Sequence, residues 1–583
     1  MMNFFRKQRR GVTAAAALAT TGIGSWATFI TYADDWDDYF PPSSSATKQD
    51  GKKERVVILG SGWGGLNALR KCAGPNKDVV IVSPRPHFLY TPLLAGTAVG
   101  TVTLRSACEP IRRLITSAGG KESSVTYIRA DARDVDLLNK RVLATTAAGD
   151  DGMELELAYD KLIVAVGSEV NTFGTPGVKE HGLFLKEAED SSRLHAKLLS
   201  NLERAAGLMR HGDFDDRTKN KYDDEIDRLL KIVVVGAGPT GVELSAELAD
   251  FRSKDVVRLF GEEVAARIRI VLVEAMPRIL GPFDADLAQV AVHHLIERGV
   301  EVRTGTAVTK VEERCAILQP STPRNATAEQ KERAKSLAET HDIGALVWTA
   351  GVKARPLVTE LAKSLGQTDL RGLNVDSSLR VKGTDGVYAI GDAALSGYAP
   401  TAQVAENEGK HVGRCIRDGV DKPFVYGHKG SLVNLGEGNG IAQLVAPNNS
   451  ALNIWDALGA PTASETVGPN REKLDEVAVT GPIAWTLWRS LYWTKLLSNQ
   501  SRIGLSMDWL KAMFSGRNVI EPVLKRQDTL VLPANWKAEV AGGGSVESFG
   551  TPLQRNSTVR SWRHVPADEK EKEKEKKKRF WLF

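Results

Sequence analysis

The sequence predicts an α/β protein built on two parallel sheets, because one sequence pattern occurs twice in the chain. The pattern G-x-G-x-x-G occupies residues 60–65 and again residues 236–241. Each copy directly follows a run of β-branched residues, 55–59 or 231–235, of the kind found in buried parallel strands. Helix-forming residues follow each copy, and a strand, a glycine-rich turn and a helix in that order are typical of a Rossmann-like unit. The sequence therefore predicts two Rossmann-like dinucleotide-binding domains.

The glycines of the two fingerprints are the first candidate binding residues. A glycine lets the backbone approach a pyrophosphate closely, and the charge of the phosphates is met by amide N–H groups at the start of the following helix. The residues expected to contact dinucleotides in this way are Gly60, Gly62, Gly65, Gly236, Gly238 and Gly241. Two such sites in one chain indicate electron transfer between two redox cofactors.

The residue that ends the next strand distinguishes the two sites. The strand at 269–273 ends in Glu274, which can accept hydrogen bonds from the ribose hydroxyls of NADH and would repel a 2′-phosphate. The strand at 79–82 instead ends in Ser83, with Arg85 two residues later and no carboxylate. NADH is therefore expected at the second fingerprint, and the first is left open for FAD.

Composition limits the possible partners. The 583 residues are 42% hydrophobic and 26% charged, which is typical of a globular protein. The formal net charge of +5 is small for this length and gives no argument for nucleic-acid binding. The four cysteines, Cys72, Cys108, Cys315 and Cys415, form no C-x-x-C pair, which argues against a metal site, a disulfide framework and a disulfide-reducing flavoprotein.

The N-terminus has the composition of a targeting segment. The first ten residues carry four positive charges, and no acidic residue occurs before Asp34. Residues 11–33 are uncharged and long enough to span a bilayer as a helix. This leaves three alternatives: a cleaved secretory signal, a cleaved mitochondrial presequence, or a presequence followed by a membrane anchor. The last is preferred, and it would place the body of the protein in the intermembrane space.

Several segments resemble the type II NADH dehydrogenases, the non-pumping NADH:quinone oxidoreductases. The resemblance extends over residues 55–519 and rests on the order and spacing of its motifs. These include SPRPHFLYTPLL at 83–94, YDKLIVAVGS at 159–168, NTFGTPGV at 171–178, FLKE at 184–187, GPTGVE at 238–243, VWTAG at 347–351 and AIGD at 389–392. The resemblance implies a two-domain flavoprotein of the glutathione-reductase-like type, with a C-terminal membrane-docking region.

The resemblance also implies roles for individual residues. FAD would be held in the first domain and NADH in the second. Asp392 matches the family aspartate that accepts a ribitol hydroxyl of the flavin, and Thr91 lies where the family brings the chain against the isoalloxazine ring. Further cofactor-binding candidates are Gly167 and Gly351, at two places where the chain crosses between domains, and Ala402.

The quinone side gives three catalytic candidates. Glu243 lies at the start of the helix after the second fingerprint, and similar enzymes use this residue in the proton chemistry of quinone reduction. An alternative is that it only interacts with the helix dipole. Gln403 matches the first glutamine of the family pattern A-Q-x-A-x-Q, whereas Asn407 stands in place of the second and is shorter by one methylene.

The C-terminal region is rich in aromatic residues. Trp485, Trp488 and Tyr492 have helical spacing, and we expect this segment to contact the membrane rather than to be core. The last residues, 576–583, place a basic run before an aromatic tip, which suits either an anionic membrane surface or a frayed tail.

These expectations define a domain plan and a function. The plan assigns 1–54 to targeting, anchor and linker, 55–190 and 351–430 to the FAD domain, 191–350 to the NADH domain, 431–550 to the membrane- and quinone-associated region, and 551–583 to a charged tail. The expected activity is hydride transfer from NADH to FAD and then electron transfer to ubiquinone at the mitochondrial inner membrane. The sequence is compatible with a homodimer. The alternatives are a sulfide:quinone oxidoreductase and a flavoprotein that senses NADH, as apoptosis-inducing flavoproteins do.

Overall fold

A computed structural model describes residues 53–118, 124–146, 152–211, 216–323, 325–445 and 476–519. These residues all belong to one compact unit that ends at Pro522. The targeting and anchor segment expected within 1–54 lies outside the described residues except for 53–54, and the charged tail at 551–583 lies outside them entirely. No helix among the described residues is both long enough and apolar enough to cross a bilayer.

The first part of the chain forms a parallel sheet. Its elements are, in order, β1 (Glu54–Leu59), α1 (Trp63–Cys72), β2 (Lys77–Val82), β3 (His87–Leu89), a 3₁₀ turn (Thr91–Leu93), α2 (Leu94–Ala98), α3 (Leu104–Ala107), β4 (Cys108–Pro110), α4 (Ile111–Ala118), β5 (Ser124–Ile128), β6 (Ala130–Asp136), β7 (Arg141–Thr146), β8 (Glu154–Ala158), β9 (Lys161–Val164), β10 (Ser168–Val170) and α5 (Val178–His181). β1 pairs in parallel with both β2 and β9, and β2 pairs with β5. The antiparallel strands β6, β7 and β8 fill the connection from β5 to β9.

The second part of the chain repeats this plan. Its elements are β11 (Leu183–Phe184), α6 (Ala188–His211), α7 (Asp216–Leu229), β12 (Lys231–Val235), α8 (Pro239–Asp250), a π-helical turn (Phe251–Val256), α9 (Val257–Phe260), α10 (Glu262–Arg267), β13 (Arg269–Val273), α11 (Ala285–Glu297), β14 (Val300–Arg303), β15 (Thr306–Val311), β16 (Cys315–Pro320), α12 (Ala328–Ser336), β17 (Glu339–Asp342) and β18 (Ala345–Trp348). β11, β18, β12, β13 and β14 form a parallel sheet in that order. The antiparallel strands β15, β16 and β17 again fill the connection before the strand that returns to the sheet.

The chain then returns to the first sheet. The remaining elements are β19 (Val352–Ala354), α13 (Pro356–Ser364), β20 (Leu373–Asn374), β21 (Val387–Ala389), a 3₁₀ turn (Gly391–Ala393), β22 (Ala394–Leu395), α14 (Ala402–Asp418), β23 (Gly430–Gly436), β24 (Asn439–Val445), β25 (Glu476–Thr480), α15 (Gly481–Lys495) and α16 (Asn499–Phe514). β21 pairs with β9 as the fifth strand of the first sheet. β10 and β19, which lead out of and back toward that sheet, pair antiparallel.

The two parallel sheets account for the hydrophobic runs that predicted them. Residues 56–59 of β1 are fully buried and residues 232–235 of β12 are at most 7% exposed, as expected for parallel strands that are covered on both faces. The predicted α/β fold class with two Rossmann-like sheets is confirmed. A third, antiparallel sheet of β23, β24 and β25 precedes α15 and α16 near the end of the described chain.

Candidate functional site

The first fingerprint is a closely packed turn. Gly60 has φ +105°, and a Cβ atom on it would lie 2.2 Å from the carbonyl oxygen of Ala165. A Cβ on Gly65 would lie 2.0 Å from the carbonyl oxygen of Gly60. Gly62, which caps α1, has only the Arg85 side chain within 4 Å of its ideal Cβ position. The turn is therefore closed on its inner side and leaves space at Gly62 for a phosphate.

The second fingerprint has the same geometry. Gly236 has φ +98°, and its Cβ would lie 2.8 Å from the Cα of Ala350. A Cβ on Gly241 would lie 1.9 Å from the carbonyl oxygen of Gly236, and nothing lies within 4 Å of the Cβ position of Gly238. Both sets of glycines thus fit a dinucleotide pyrophosphate. The crossing segments that end in Gly167 and Gly351, both with φ +70°, pass next to the first glycine of each fingerprint.

The strand-end residues make different contacts at the two sites. Ser83 Oγ accepts a hydrogen bond from Ser61 Oγ at 2.9 Å. Glu274 accepts from the backbone N–H of Ala237 at 2.7 Å and from that of Met276 at 2.8 Å. These two bonds hold the carboxylate of Glu274 beside the turn that would bind the pyrophosphate. This is the position expected for the ribose that is attached to the pyrophosphate.

Helix α14 packs against both the first fingerprint and the turn that carries Asp392. Ala405 of α14 lies within 3.4 Å of the Cβ positions of both Gly64 and Gly391, so the start of α14, with Ala402, approaches the fingerprint. The Asp392 carboxylate accepts from Ser168 Oγ, which also accepts from the ammonium of Lys186 at 3.0 Å.

Two charged residues of this region were not singled out from the sequence. Lys186 lies 3.9 Å from the Asp392 carboxylate, and burial lowers its pKa although Asp392 opposes that shift. Glu187 accepts from Arg85 at 2.7 Å. Both belong to the FLKE segment, and this motif is the sequence feature from which they could have been identified. Thr91, at the start of its 3₁₀ turn, is exposed and accepts from the indole N–H of Trp63 at 3.3 Å.

Glu243 is buried where three parts of the chain meet. Its Oε1 accepts from the backbone N–H of Asn434 at 3.1 Å and from the indole N–H of Trp488 at 2.9 Å. Burial raises the pKa of Glu243 to about 8, although the two donors oppose the shift. The carboxyl lines a pocket together with residues of the first domain and the C-terminal region, among them Pro92, Thr101, Asn434, Trp488 and Trp509. A buried carboxyl that titrates near neutral pH can pass a proton to a ligand in this pocket.

Gln403 and Asn407 lie elsewhere, on α14. Gln403 Oε1 accepts from the hydroxyl of Tyr426 at 2.6 Å, and the Asn407 side chain donates to the backbone carbonyl of Gln403 at 2.8 Å. Neither residue lines the Glu243 pocket. The two regions are connected by Lys495, at the end of α15, which pairs with Glu406 of α14 at 2.9 Å.

The expectation that the aromatic residues of α15 form a membrane face is wrong for Trp488. This residue is only 6% exposed, because its indole is turned inward to Glu243. Trp485 is covered by the guanidinium of Arg489, 3.9 Å from its ring. On α15 Ile483 and Trp493 are 42% and 38% exposed, and a longer stripe of exposed apolar residues lies on α16, namely Ile503, Met507, Leu510 and Phe514, each at least 48% exposed.

A buried charge cluster that the sequence did not indicate fixes the end of the described chain. Arg517 donates to Asp255 at 2.8 Å, to Glu247 at 3.1 Å and to Thr101 at 2.7 Å. Asp250 accepts from the same guanidinium at 3.4 Å. Although burial alone would lower it, these acids raise the pKa of Arg517 above its ordinary value. The segment after α16 is thereby held against both dinucleotide domains.

Comparisons with known proteins give consistent matches. Residues 54–409 match the family described as Pyridine nucleotide-disulphide oxidoreductase, and residues 473–518 match the NDH2 C-terminal domain. A probable mitochondrial NADH-ubiquinone oxidoreductase of Schizosaccharomyces pombe is 31% identical over 86% of this chain and 90% of its own length. The mitochondrial external NADH-ubiquinone oxidoreductase 2 of Saccharomyces cerevisiae is 32% identical over 82% of this chain and 84% of its own.

A solved structure has the same fold. The NDH2 of Plasmodium falciparum, solved in complex with NADH, superposes with a TM-score of 0.66. It is 24% identical, and the match covers 80% of this chain and 100% of that one. At this identity the likeness supports the fold alone.

Proposed function

Because the chain belongs to the pyridine nucleotide-disulphide oxidoreductase family and, within it, to the mitochondrial type II NADH:quinone oxidoreductases, we propose how its residues carry out that reaction. The protein is an NADH:ubiquinone oxidoreductase. The two alternatives considered from the sequence, a sulfide:quinone oxidoreductase and an NADH-sensing flavoprotein, are disfavoured by the relatives. The described cysteines are all free, with no disulfide between them.

The two fingerprints divide the cofactors. FAD binds the first domain, 55–190 with 351–430, through Gly60, Gly62, Gly65 and Asp392. NADH binds the second domain, 191–350, where Glu274 recognises the ribose hydroxyls. The bound flavin supplies the two-electron chemistry between NADH and the quinone. The glycine turns of the two fingerprints bind the phosphates of the cofactors. The crossing segments at Gly167 and Gly351 lie beside the cofactors, because their small residues leave room for them.

The buried carboxyl of Glu243 is the observation that carries the quinone half of the proposal. Reduction of a quinone to a quinol consumes two protons, and Glu243 lies in a pocket formed by both domains and the C-terminal region, with a pKa of about 8. Glu243 donates a proton to a quinone oxygen. Gln403 and Asn407 lie on α14 outside this pocket, where the Asn407 amide donates to the Gln403 backbone carbonyl, so a contact of their amides with the quinone stays a prediction.

The C-terminal region, 431–550, docks on the inner membrane. The stripe of α16 exposes Ile503, Met507, Leu510 and Phe514 on one helical face, with Lys511 also exposed beside it. An apolar stripe beside a cation fits the boundary between anionic headgroups and acyl chains. Docking there would bring a membrane-dissolved quinone to the nearby pocket, which Trp509 of the same helix lines.

Anaerobic rapid mixing tests the proposal. Purified protein should contain FAD, which NADH reduces and a short-chain ubiquinone then reoxidises. Glu243→Gln should leave the first phase unchanged and slow the second by about 100-fold, the typical contribution of a general acid. Glu297→Gln, on the exposed side of α11, is the matched control and should alter neither phase. Protein without bound flavin, or an unchanged second phase in Glu243→Gln, would contradict the proposal.

A further inference from the structure

Trp488 and Asn434 hold one oxygen of Glu243 and leave the other free. Both donors belong to the C-terminal elements α15 and β23, whereas Glu243 belongs to α8, which starts at the second fingerprint. Among the described residues, no group donates to Glu243 Oε2. Since the carboxyl lines the pocket, the unbonded oxygen is the one available to a ligand there.

The charged groups nearest Glu243 make their closest contacts with other residues. On its own helix, Glu247 is bonded to Arg517, which comes from the segment after α16. On α15, Arg489 lies between the rings of Trp485 and Trp509, at 3.9 Å and 4.5 Å.

Tyr492 is also close enough for the Glu243 carboxyl to influence its hydroxyl. Its ring lies edge-on to the Trp488 ring at 4.7 Å, and burial together with Glu243 raises the pKa of its hydroxyl. The contacts that stabilise an ionised Glu243 are therefore the two neutral N–H donors rather than an ion pair. Of these two, the Trp488 indole is the one that a side-chain substitution can remove.

We propose that Trp488 is a positioning residue for the quinone reaction: its indole N–H holds Oε1 of Glu243 so that Oε2 exchanges a proton with the quinone in the pocket. This inference rests on the function proposed above. NADH is the reductant and the quinone the oxidant. As the quinone gains two electrons, the O–H bond of the Glu243 carboxyl breaks and one O–H bond of the quinol forms, while the second quinol proton is taken from solvent. The resulting carboxylate is stabilised by Trp488 and Asn434 until it takes a proton from solvent.

Two matched variants test the proposal by kinetics. Trp488→Phe keeps the ring but removes a donor to the ionised carboxyl, so the alkaline limb of quinone reduction should move up by about one pH unit and kcat should fall. The KM for NADH and the rate of flavin reduction should not change. Trp493→Phe removes another indole hydrogen bond of α15, to the carbonyl of Arg502 at 3.2 Å, and should keep the wild-type profile. If the alkaline limb of the pH profile stays in place or shifts to lower pH in Trp488→Phe, the proposal is overturned.

A measurement without turnover gives an independent result, even if Trp488→Phe does not fold. In protein labelled with 5-fluorotryptophan, the ¹⁹F signal of Trp488 should titrate with a midpoint near pH 8 in the wild type and should not titrate in Glu243→Gln. A signal that is flat in the wild type, or that titrates equally in both proteins, overturns the proposal. A wild-type protein that fails to reduce quinone with NADH would contradict the proposed function instead.

Discussion

At the residue scale, the charge of Glu274 should determine which nicotinamide cofactor is used. Its carboxylate is fixed by Ala237 and Met276 beside the second fingerprint, so it faces the ribose that follows the pyrophosphate. Glu274→Gln keeps an acceptor oxygen and removes the negative charge. We expect the ratio of kcat/KM for NADH to that for NADPH to fall by about tenfold or more, because hydrogen bonds to charged groups contribute about 1.5–3 kcal/mol. Ser83→Ala, at the other site, should leave this ratio unchanged, and an unchanged ratio in Glu274→Gln would exclude the assigned role.

Glu243 should also affect how stability depends on pH. Its pKa is about 8 in the folded protein against an ordinary value of 4.5, so the folded state binds the proton more tightly than the unfolded state. Wild-type stability relative to Glu243→Gln should therefore fall as pH rises from 4.5 to 8 and stay level above that. Melting temperatures of the two proteins across this range would measure the difference.

Glu406 provides a control because its pKa is shifted in the opposite direction from that of Glu243. Burial alone would raise its pKa, but Lys495 and Lys410 hold it below the ordinary value. Its stabilisation is present above the unfolded pKa and is lost as pH falls through the folded one. Glu406→Gln should therefore be less stable than the wild type at neutral pH, with the deficit shrinking in acid. Parallel pH profiles for the two variants would show that the two pKa shifts are not opposite in direction, so that at least one of them is wrong.

The site was only partly predictable from individual residues. A carboxylate early in the helix after a fingerprint stands out, because burial there requires a partner, and this drew attention to Glu243. Its partner Trp488 is 245 residues away, and no local spacing connects two positions at that distance. Lys186 likewise approaches Asp392 only because the first sheet is completed by a strand from much later in the chain.

At the element scale, two glycines hold α14 against α1. A Cβ on Gly409 would lie 2.3 Å from the carbonyl oxygen of Gly64, and one on Gly413 would lie 2.6 Å from that of Ala68. Gly409→Ala should separate the helices, destabilise the protein by about 1–3 kcal/mol and weaken FAD retention, because α1 begins at the first fingerprint. Gly207→Ala is the control, since nothing lies within 4 Å of its Cβ position inside helix α6. It should be neutral or stabilising by up to about 1 kcal/mol. Chemical unfolding and flavin release on dilution would compare the two.

The stripe of α16 should determine membrane binding. Leu510 and Met507 are 48% and 50% exposed, and a charge there opposes insertion among acyl chains. The double variant Met507→Glu, Leu510→Glu should lose binding to vesicles of anionic phospholipid in a flotation assay, yet keep turnover with a soluble quinone. Gln289→Glu with Val290→Glu adds the same charge to the exposed side of a different helix, α11, and should float like the wild type. If both double variants floated equally well, docking through this stripe would be wrong.

The burial of Trp488 shows a limit of helical periodicity. The spacing of Trp485, Trp488 and Tyr492 predicts which side chains share a region of the helix, but not whether that region faces lipid or protein. Aromatic residues at this spacing can face either lipid or the protein interior. Trp488 faces the interior because its indole N–H donates to the buried carboxyl of Glu243. The two parallel sheets were predictable because strand, turn and helix are adjacent in sequence, so that local chemistry specifies them.

At the scale of the whole molecule, the arrangement of the C-terminal region depends on long-range charge pairs, which sequence patterns do not encode. Arg517 joins Thr101 of the first domain to Glu247 and Asp255 of the second. The neighbouring Asn518 donates from its backbone to the carbonyl of Gly100 at 3.0 Å. The pocket that contains Glu243 has walls from all three parts of the chain, so its shape depends on this junction.

Removing the guanidinium of Arg517 should therefore destabilise the protein strongly and in a pH-dependent way. Arg517→Met leaves Asp255, which is 2% exposed, and Glu247 without their buried cation, at a cost of about 3–5 kcal/mol. The cost should shrink as pH falls, because removing Arg517 takes away one of the charges that, against the effect of burial, hold the pKa of Asp250 below its ordinary value. Arg258→Met is the matched control: Arg258 also contacts Asp255 but is half exposed, so its loss should cost at most about 1 kcal/mol. Thermal melts between pH 5 and 8 should show a large, acid-relieved deficit only for Arg517→Met, and equal deficits in the two variants would mean that Arg517 does not hold the junction together.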